Sequence, residues 1–236
     1  MIKGSELIYI KNLLDKHLSN WTIEIGGGLG FLTELIKKRK EFSVFEIDET
    51  LHSLLAQRFG KEVVKKDIRS WNPENETSSG SLVGNLPYYL SGRILWTVAQ
   101  WPQKINHAVF TVQKEVAERV CSNSGTKSFG ALSGPLQHFY SCKIQKILSS
   151  ECFFPQPKVE SAVLTLLNKE KKEDFKHAEN YLMLNKIMFS QRRKKVKNLL
   201  KNIVSESAIK KIPEGFRAED LDSDLGLFLV KNLKSK

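Results

Sequence analysis

The sequence reads Thr22-Ile23-Glu24-Ile25-Gly26-Gly27-Gly28-Leu29-Gly30 where a short apolar run enters a glycine-rich turn. A helical pattern follows, so this stretch predicts a strand, a tight turn and the N-terminus of a helix. Glycines let the backbone turn sharply and let a ligand approach the helix. The spacing is G-x-G-x-G, whereas a dinucleotide fingerprint would need glycine at Phe31. The loop therefore favours a smaller nucleoside-bearing ligand over a pyrophosphate.

Short apolar runs alternate with helical patterns along the first two-thirds of the chain. We predict strands over residues 22–25, 43–47, 63–65, 81–84 and 108–112, with helices over 31–39, 49–59 and 91–100. Two later β-like runs, 143–148 and 162–167, flank a proline-containing segment and fit an antiparallel pair. The fold class is therefore α/β, with a mostly parallel, doubly wound sheet.

The strand rhythm stops at about residue 169. Beyond it, apolar residues at 196, 199, 200 and 203 have the spacing of one face of an amphipathic helix. We therefore predict two domains: an α/β domain over residues 1–168 and a small, basic, helical domain over residues 169–236.

The composition excludes several classes of protein. The 236 residues carry 37 basic and 26 acidic side chains, a net charge of +11, which favours a polyanionic partner, nucleic acid before membrane. Three cysteines without C-x-x-C spacing argue against a disulfide framework or a zinc site, and the histidines form no metal-ligand pattern. No stretch approaches the ~18 apolar residues of a membrane span, and the first twenty residues carry no apolar h-region, so we expect neither a membrane anchor nor a secretory signal. We expect a cytoplasmic protein that binds no metal and no membrane.

Basic residues concentrate in the stretch 186–201, which holds seven cations and no acidic residue. Such a run is commonly a solvated helix face, and that alternative stays open. It also exceeds what solubility needs, and it would neutralise phosphates with salt-sensitive affinity. We predict that six of these cations contact RNA: Lys186, Arg192, Arg193, Lys194, Lys195 and Lys197.

Carboxylates follow the second and third predicted strands. Glu46 lies twenty positions after Gly26, where doubly wound folds place a carboxylate on ribose hydroxyls. Asp67 ends the third strand and is suited to accept a hydrogen bond from an adenine amino group. A cap on the following turn is the alternative role for Asp67.

The sharpest feature is the turn Asn85-Leu86-Pro87-Tyr88 after the fourth strand. Pro87 fixes its own φ and biases Leu86 towards extended geometry, which holds the Leu86 carbonyl in place. The Asn85 amide and that carbonyl would accept the two hydrogens of an exocyclic amine, and Tyr88 would stack on the ring. The turn thus predicts a site for a planar base with an amino group, with a simple Asn-Pro loop as the alternative.

Six blocks in this order resemble the ribosomal RNA adenine dimethyltransferases, and among them the bacterial small-subunit (16S) rRNA adenosine N6-dimethyltransferases. The blocks are EIGGGLG at 24–30, FEID at 45–48, NLPY at 85–88, QKEV at 113–116, FFPQPKVESAV at 153–163 and QRRK at 191–194. The chain departs from the family at Gly27, where proline is usual, and at Tyr89, where asparagine or histidine is common. The family's N-terminal F-G-Q-N-F-L-like motif is also not found.

The resemblance implies a Rossmann-like, S-adenosylmethionine-dependent methyltransferase. It implies transfer of two methyl groups to N6 of each of two adjacent adenosines in the 3′-terminal hairpin loop of 16S rRNA, within a pre-30S particle during ribosome biogenesis. The implied cofactor-binding residues are Glu24, Gly26, Gly28, Glu46, Ile47, Asp67, Ile68 and Asn85. The implied target-base residues are Asn85, Leu86, Pro87, Tyr88 and, on the other face of the base, Phe153. We expect a monomer.

Three alternatives stay open at this point. The first is a large-subunit rRNA adenine methyltransferase of the macrolide-resistance type, which shares the Asn-x-Pro-Tyr and Phe-x-Pro-x-Pro blocks. The second is a nicotinamide oxidoreductase, which the glycine spacing and the positive charge oppose. The third is a non-catalytic rRNA-binding assembly factor.

Overall fold

The structure is a computed structural model that describes residues 2–17 and 19–234. Within those residues, seven strands form one sheet in the order β3-β2-β1-β4-β5-β7-β6. The strands are β1 (Thr22–Ile25), β2 (Phe42–Glu46), β3 (Val63–Lys65), β4 (Gly80–Asn85), β5 (Ile105–Gln113), β6 (Tyr140–Leu148) and β7 (Ser161–Asn168).

The pairing of the strands is mixed. Strands β1 to β5 are parallel, and β7 runs antiparallel to both β5 and β6. The predicted α/β fold, a mostly parallel sheet with a late antiparallel pair, is therefore confirmed. Because the five parallel strands share one direction, the loops after β1, β2, β3 and β4 meet at one edge of the sheet.

Helices cover both faces of the sheet. They are α1 (Gly4–Asp15), α2 (Phe31–Ile36), α3 (Glu49–Phe59), α4 (Ser91–Gln100), α5 (Lys114–Cys121), α6 (Ser133–Phe139), α7 (Ala178–Ser190), α8 (Val196–Leu200), α9 (Glu206–Lys210) and α10 (Ser223–Lys231). Helices α3 and α4 have the predicted bounds. The Asp48 side chain caps α3 by accepting a hydrogen bond from the Leu51 N–H.

Three helices of the first two-thirds, α1, α5 and α6, were not predicted. Like the predicted helices α2 and α4, none of the three has a side-chain cap at its N-terminus, so no cap marks where these helices begin. Helix α2 ends at Ile36, three residues before its predicted end. Beyond it, the Arg39 guanidinium turns back to donate hydrogen bonds to Thr22 Oγ1 at 2.8 Å and to Asp15 Oδ1 at 2.9 Å.

Two large apolar clusters lie on opposite faces of the sheet. One contains side chains of α4 and α6 together with α7, α8, α9 and α10, so the C-terminal helices share a continuous core with the sheet. The other joins α1 and α2 to Val83, Val109 and Val163. The division at residue 168 stays a prediction.

Candidate active site

A cavity of about 230 Å³ opens at the carboxyl ends of the parallel strands. The residues that sequence reasoning assigned and the structure places in its wall are Gly26, Gly28, Glu46, Ile47, Asp67, Ile68, Asn85 and Pro87. Four assigned residues, Glu24, Leu86, Tyr88 and Phe153, do not line this cavity. The topology thus brings most of the predicted cofactor residues to one place, together with the start of the predicted base site.

The glycine loop forms one wall of the cavity. Gly26 and Gly28 have φ values of 74° and 56°, a left-handed conformation that side chains disfavour. Apart from the glycine itself and its two chain neighbours, no residue has an atom within 4 Å of the position where a Cβ would stand on Gly26 or Gly28, so the loop leaves open space that a side chain would fill. This cradle fits a nucleoside ligand that approaches the backbone closely.

The Glu46 carboxylate joins the glycine loop to the end of β2. It is buried, and its Oε1 accepts hydrogen bonds from the backbone N–H of Ile47 at 2.9 Å and of Asp48 at 3.0 Å. Its Oε2 accepts one from the Gly28 N–H at 3.0 Å. Because a carboxylate oxygen has two acceptor sites, Oε2 can accept one further hydrogen bond. Glu46 thus retains acceptor capacity for one ribose hydroxyl, and its ribose contact stays a prediction.

Asp67 forms the adjacent wall and is paired with Arg69. Its Oδ1 accepts from the Arg69 backbone N–H at 2.8 Å, and its Oδ2 accepts from the guanidinium Nε at 2.8 Å. Hydrogen bonds from the Arg69 side chain, followed by its backbone N–H, lower the pKa of Asp67. Asp67 therefore caps the turn that follows β3, the role left open by the sequence, and also faces the cavity.

Asn85 is the last residue of β4, the strand that pairs with β1, and lines the cavity together with the glycine loop. It is exposed, and within the described part of the chain its amide makes no hydrogen bond. The next residue is fixed: the Leu86 side chain is buried and its N–H donates to the Thr111 carbonyl on β5 at 3.0 Å. The turn thus combines a free amide with an anchored backbone.

Comparison with known proteins identifies the family. A family model described as ribosomal RNA adenine dimethylase matches residues 12–224. The chain belongs to the ribosomal RNA adenine dimethylase family. It is 39% identical over 214 residues to the ribosomal RNA small subunit methyltransferase A of Francisella tularensis subsp. novicida, which covers 84% of this chain and 81% of the relative.

Two solved structures have the same fold. A dimethyladenosine transferase from Plasmodium falciparum superposes with a TM-score of 0.76, at 22% identity and 99% coverage of both chains. The 23S rRNA methyltransferase ErmE gives a TM-score of 0.69, at 19% identity and 97% coverage of both.

These comparisons confirm the predicted family, enzyme class and cofactor. The protein is an S-adenosylmethionine-dependent rRNA adenine dimethyltransferase, and rRNA is its substrate. The comparisons do not favour the large-subunit enzyme or the non-catalytic assembly factor.

Glu24 of the methyltransferase lies on β1, just before the glycine loop. It is 2% exposed and accepts a hydrogen bond from Thr33 Oγ1 at 2.6 Å. Burial raises the pKa of Glu24 to about 8, against a smaller lowering by the Thr33 hydroxyl and with a further rise from the charge of Glu46. The hydrogen bond from Thr33 joins β1 to α2, the two elements that flank the glycine loop, so Glu24 supports that loop. Glu24 does not line the cavity, and its predicted cofactor contact stays a prediction.

The two predicted stacking residues are held by different elements. The Tyr88 hydroxyl lies 3.0 Å from Ser161 Oγ at the start of β7. Phe153 is half-buried, forms an antiparallel bridge with Ile2 and packs against the cluster around α1 and α2. Their roles towards the target base stay predictions.

Several residues of the cavity wall were missed by sequence reasoning. The most prominent are Lys66 and Arg69; Tyr89, noted from the sequence only as a departure from the family, also lines the wall. Arg69 had a usable signal, because a cation two positions after Asp67 at a strand end can pair with it. Tyr89 is 81% exposed, and its departure from the family's usual residue was the signal for it.

The predicted RNA-binding cations are not equivalent in the enzyme. Arg192 pairs with Glu219 at 3.2 Å and donates to the Lys127 carbonyl at 2.6 Å, and Lys197 pairs with Glu214 at 2.6 Å. Lys186 lies over the Trp96 ring at 6.0 Å. The remaining three are exposed and form no ion pair within the described residues: Arg193, Lys194 and Lys195, named here the basic turn.

No group of three or more His, Cys, Asp and Glu side chains in residues 2–17 and 19–234 is arranged to hold a metal ion. Among the helices of those same residues, none has the length and apolar character that a bilayer span requires.

Proposed function

We propose that this methyltransferase dimethylates N6 of two adjacent adenosines in the 3′-terminal hairpin loop of 16S rRNA. The observation that carries the proposal is the position of Asn85, whose exposed amide lies in the cavity bordered by Gly26, Gly28 and Glu46. The 39% identity to a small-subunit methyltransferase supports 16S over 23S rRNA. We further propose that the enzyme acts as a cytoplasmic monomer on a pre-30S particle.

The cofactor half of the cleft consists of Gly26, Gly28, Glu46, Ile47, Asp67 and Ile68. In this proposal the glycine backbone cradles the nucleoside, Glu46 Oε2 accepts from the ribose and Asp67 accepts from the adenine amine. When bound, S-adenosylmethionine supplies an electrophilic methyl group. The residues of this half bind and orient it.

The base half activates the adenosine amine. The N6 lone pair is delocalised into the purine ring and is a poor nucleophile. Hydrogen bonds from N6–H to the Asn85 amide oxygen and the Leu86 carbonyl would favour a pyramidal nitrogen with an available lone pair. The anchor from the Leu86 N–H to the Thr111 carbonyl keeps this backbone in place. Orientation of this kind is worth roughly 7–11 kcal/mol in favourable cases.

The target base has to leave its stack to reach this turn. Extrusion costs a few kcal/mol, and stacking on an aromatic ring returns ~1–3 kcal/mol per base. Tyr88 and Phe153 are the proposed stacking partners, one on each face. Both side chains are half-buried and held by contacts within the protein, so binding the base costs little further side-chain entropy.

RNA binding outside the cleft falls to the C-terminal region. We propose that residues 169–236 form the RNA-contacting part and residues 1–168 the catalytic part. The basic turn is the strongest candidate contact, because its three cations are exposed and form no ion pair among the described residues. Arg192 and Lys197 contribute less in this proposal, since each already has an acidic partner.

The proposal is tested by incubating the purified enzyme and labelled S-adenosylmethionine with undermethylated small subunits or, separately, with large subunits. Mass spectrometry of nucleosides and primer extension on each rRNA then locate the product. We expect N6,N6-dimethyladenosine at two adjacent positions of 16S rRNA. Label in 23S rRNA would support the large-subunit alternative, and binding without release of S-adenosylhomocysteine would support a scaffold.

A further inference from the structure

One side-chain hydrogen bond ties the catalytic turn to a distant strand. Tyr88 Oη and Ser161 Oγ lie 3.0 Å apart, although 73 positions separate the two residues in the chain. Ser161 is fully buried and Tyr88 is half-buried. Within the described residues this is the Tyr88 hydroxyl's one hydrogen bond.

Ser161 is a fixed point in the sheet. It is the first residue of β7, where it pairs with Gln113 of β5 on one side and with Leu148 of β6 on the other. The preceding Glu160 carbonyl accepts a hydrogen bond from the Lys114 N–H at 3.1 Å. With neighbours on both sides, the strand sets the direction of the Ser161 side chain.

Tyr88 has no such constraint from its own turn. The backbone of the turn is anchored through the Leu86 N–H and through the Pro87 carbonyl, which accepts from the Leu90 N–H at 2.9 Å. Neither bond restricts rotation of the Tyr88 ring about its two side-chain torsions. The hydroxyl is at the far end of that ring, so a hydrogen bond there restricts both torsions.

We propose that Ser161 is a positioning residue for the target adenosine: its hydroxyl fixes the plane of the Tyr88 ring on which the extruded base stacks. The inference rests on the proposed role of Tyr88 in the methyltransferase. It also links two sequence blocks, because Ser161 belongs to the block 153–163 that begins with Phe153. Phe153 itself is held by its bridge with Ile2 and by packing against a cluster that includes Val163 of the same strand.

Ser161→Ala is expected to lower kcat/KM on undermethylated small subunits about 3- to 10-fold, the range of one neutral hydrogen bond. The dissociation constant for S-adenosylmethionine should stay within about twofold, because neither residue lines the cofactor cavity. A matched control is Ser133→Ala. Ser133 is also fully buried, and its hydroxyl accepts from the Gly130 N–H at 2.9 Å and donates to the Arg119 carbonyl; it is the first residue of α6 and does not line the cofactor cavity.

A double-mutant cycle with Tyr88→Phe separates positioning from a structural effect. Tyr88→Phe keeps the ring and removes only the hydroxyl, so it breaks the same bond from the other side. We expect Ser161→Ala to have no further effect on kcat/KM in the Tyr88→Phe protein. Ser133→Ala should have the same effect on kcat/KM in both backgrounds.

Multiplicative losses from Ser161→Ala and Tyr88→Phe, or a loss of cofactor affinity equal to the loss of turnover, would overturn the inference. Inactivity of the unmutated enzyme on small subunits would instead contradict the proposed function, so the two failures are distinguishable. Melting temperatures of all variants show whether each is folded at the assay temperature.

Discussion

On the cofactor side of the cleft, the Glu46 carboxylate accepts three backbone hydrogen bonds before any ligand binds. On the base side, the Asn85 amide makes none within the described residues. In the proposed function, the first arrangement fixes the shape of the cofactor site before the cofactor binds. The second leaves an exposed amide for the amine of the extruded adenosine. We therefore expect cofactor affinity and turnover to depend on separate residues of one cavity.

The largest expected effect is that of Asn85→Ala on turnover. The substitution removes the amide oxygen that orients N6, and misplacement of a reacting group costs about 100-fold or more. Single-turnover methyl transfer to undermethylated small subunits measures it. Ile8→Ala is a control for surface truncation, since Ile8 is 52% exposed on α1 and lies outside the cavity wall. A loss of turnover below about 10-fold for Asn85→Ala would contradict the assignment of Asn85 to the target adenosine.

The second effect is that of Glu46→Ala on cofactor affinity. Hydrogen bonds to a charged group are worth ~1.5–3 kcal/mol each, so we expect the dissociation constant for S-adenosylmethionine to rise about 10- to 100-fold. Isothermal titration calorimetry provides the measurement. Glu46→Gln keeps one acceptor oxygen and should give an intermediate value. An unchanged dissociation constant for Glu46→Ala would remove Glu46 from the cofactor site.

A third, smaller effect compares two neighbouring arginines outside the cleft. Arg193→Glu should weaken RNA binding and reduce the salt slope of the binding constant by about 1, because the exposed guanidinium of Arg193 belongs to the basic turn. Arg192→Glu breaks the pair with Glu219 and should lower the melting temperature more than it changes the slope. Binding constants measured over a series of salt concentrations give the salt slope of each variant. Equal slopes for Arg193→Glu and the unmutated enzyme would exclude the basic turn as a contact.

The smallest effect is the pH dependence of stability that Glu24 introduces next to the glycine loop. Burial raises the pKa of Glu24 from 4.5 to about 8, so the stability it contributes is present below 4.5 and is lost as pH rises through 8. The melting temperature should therefore fall over this window, by about 2–4 °C per kcal/mol lost. Glu24→Gln, which stays neutral, should flatten the fall. His107, whose pKa burial lowers to about 4, acts in the opposite direction and is unchanged in that variant. An identical pH profile for both proteins would contradict the assignment to Glu24.

Much of the fold follows from local patterns, and the exceptions have physical causes. Helix α3 was predicted with its bounds because Asp48 supplies a cap and Gly60 ends the helix. Helix α5 was missed because it begins directly after β5 without a turn or a side-chain cap. Strand order was not predicted, since it depends on contacts between distant segments.

The candidate site shows the same division between local and distant information. The glycine spacing and the Asn85–Tyr88 turn are local, and they placed Gly26, Gly28, Asn85 and Pro87 at the cavity wall; Glu46 and Asp67 followed from their positions at strand ends. The partner of Tyr88 is Ser161 and the partner of Arg192 is Glu219, both far along the chain and set by tertiary packing. Residues 186–201 contain no acidic residue, so the sequence predicted that all of their cations are free. In the structure, Arg192 and Lys197 pair with acidic residues from outside the run.

The central claim is that the cofactor half and the base half of the cavity are separable. Its most direct test is the affinity of the Asn85→Ala protein for S-adenosylmethionine, measured by calorimetry on the same preparation whose turnover is measured. We predict a dissociation constant for S-adenosylmethionine within about twofold of the unmutated enzyme, alongside a turnover reduced about 100-fold or more. A dissociation constant that rises in proportion to the fall in turnover would show that Asn85 serves the cofactor, and would contradict its assignment to the adenosine amine.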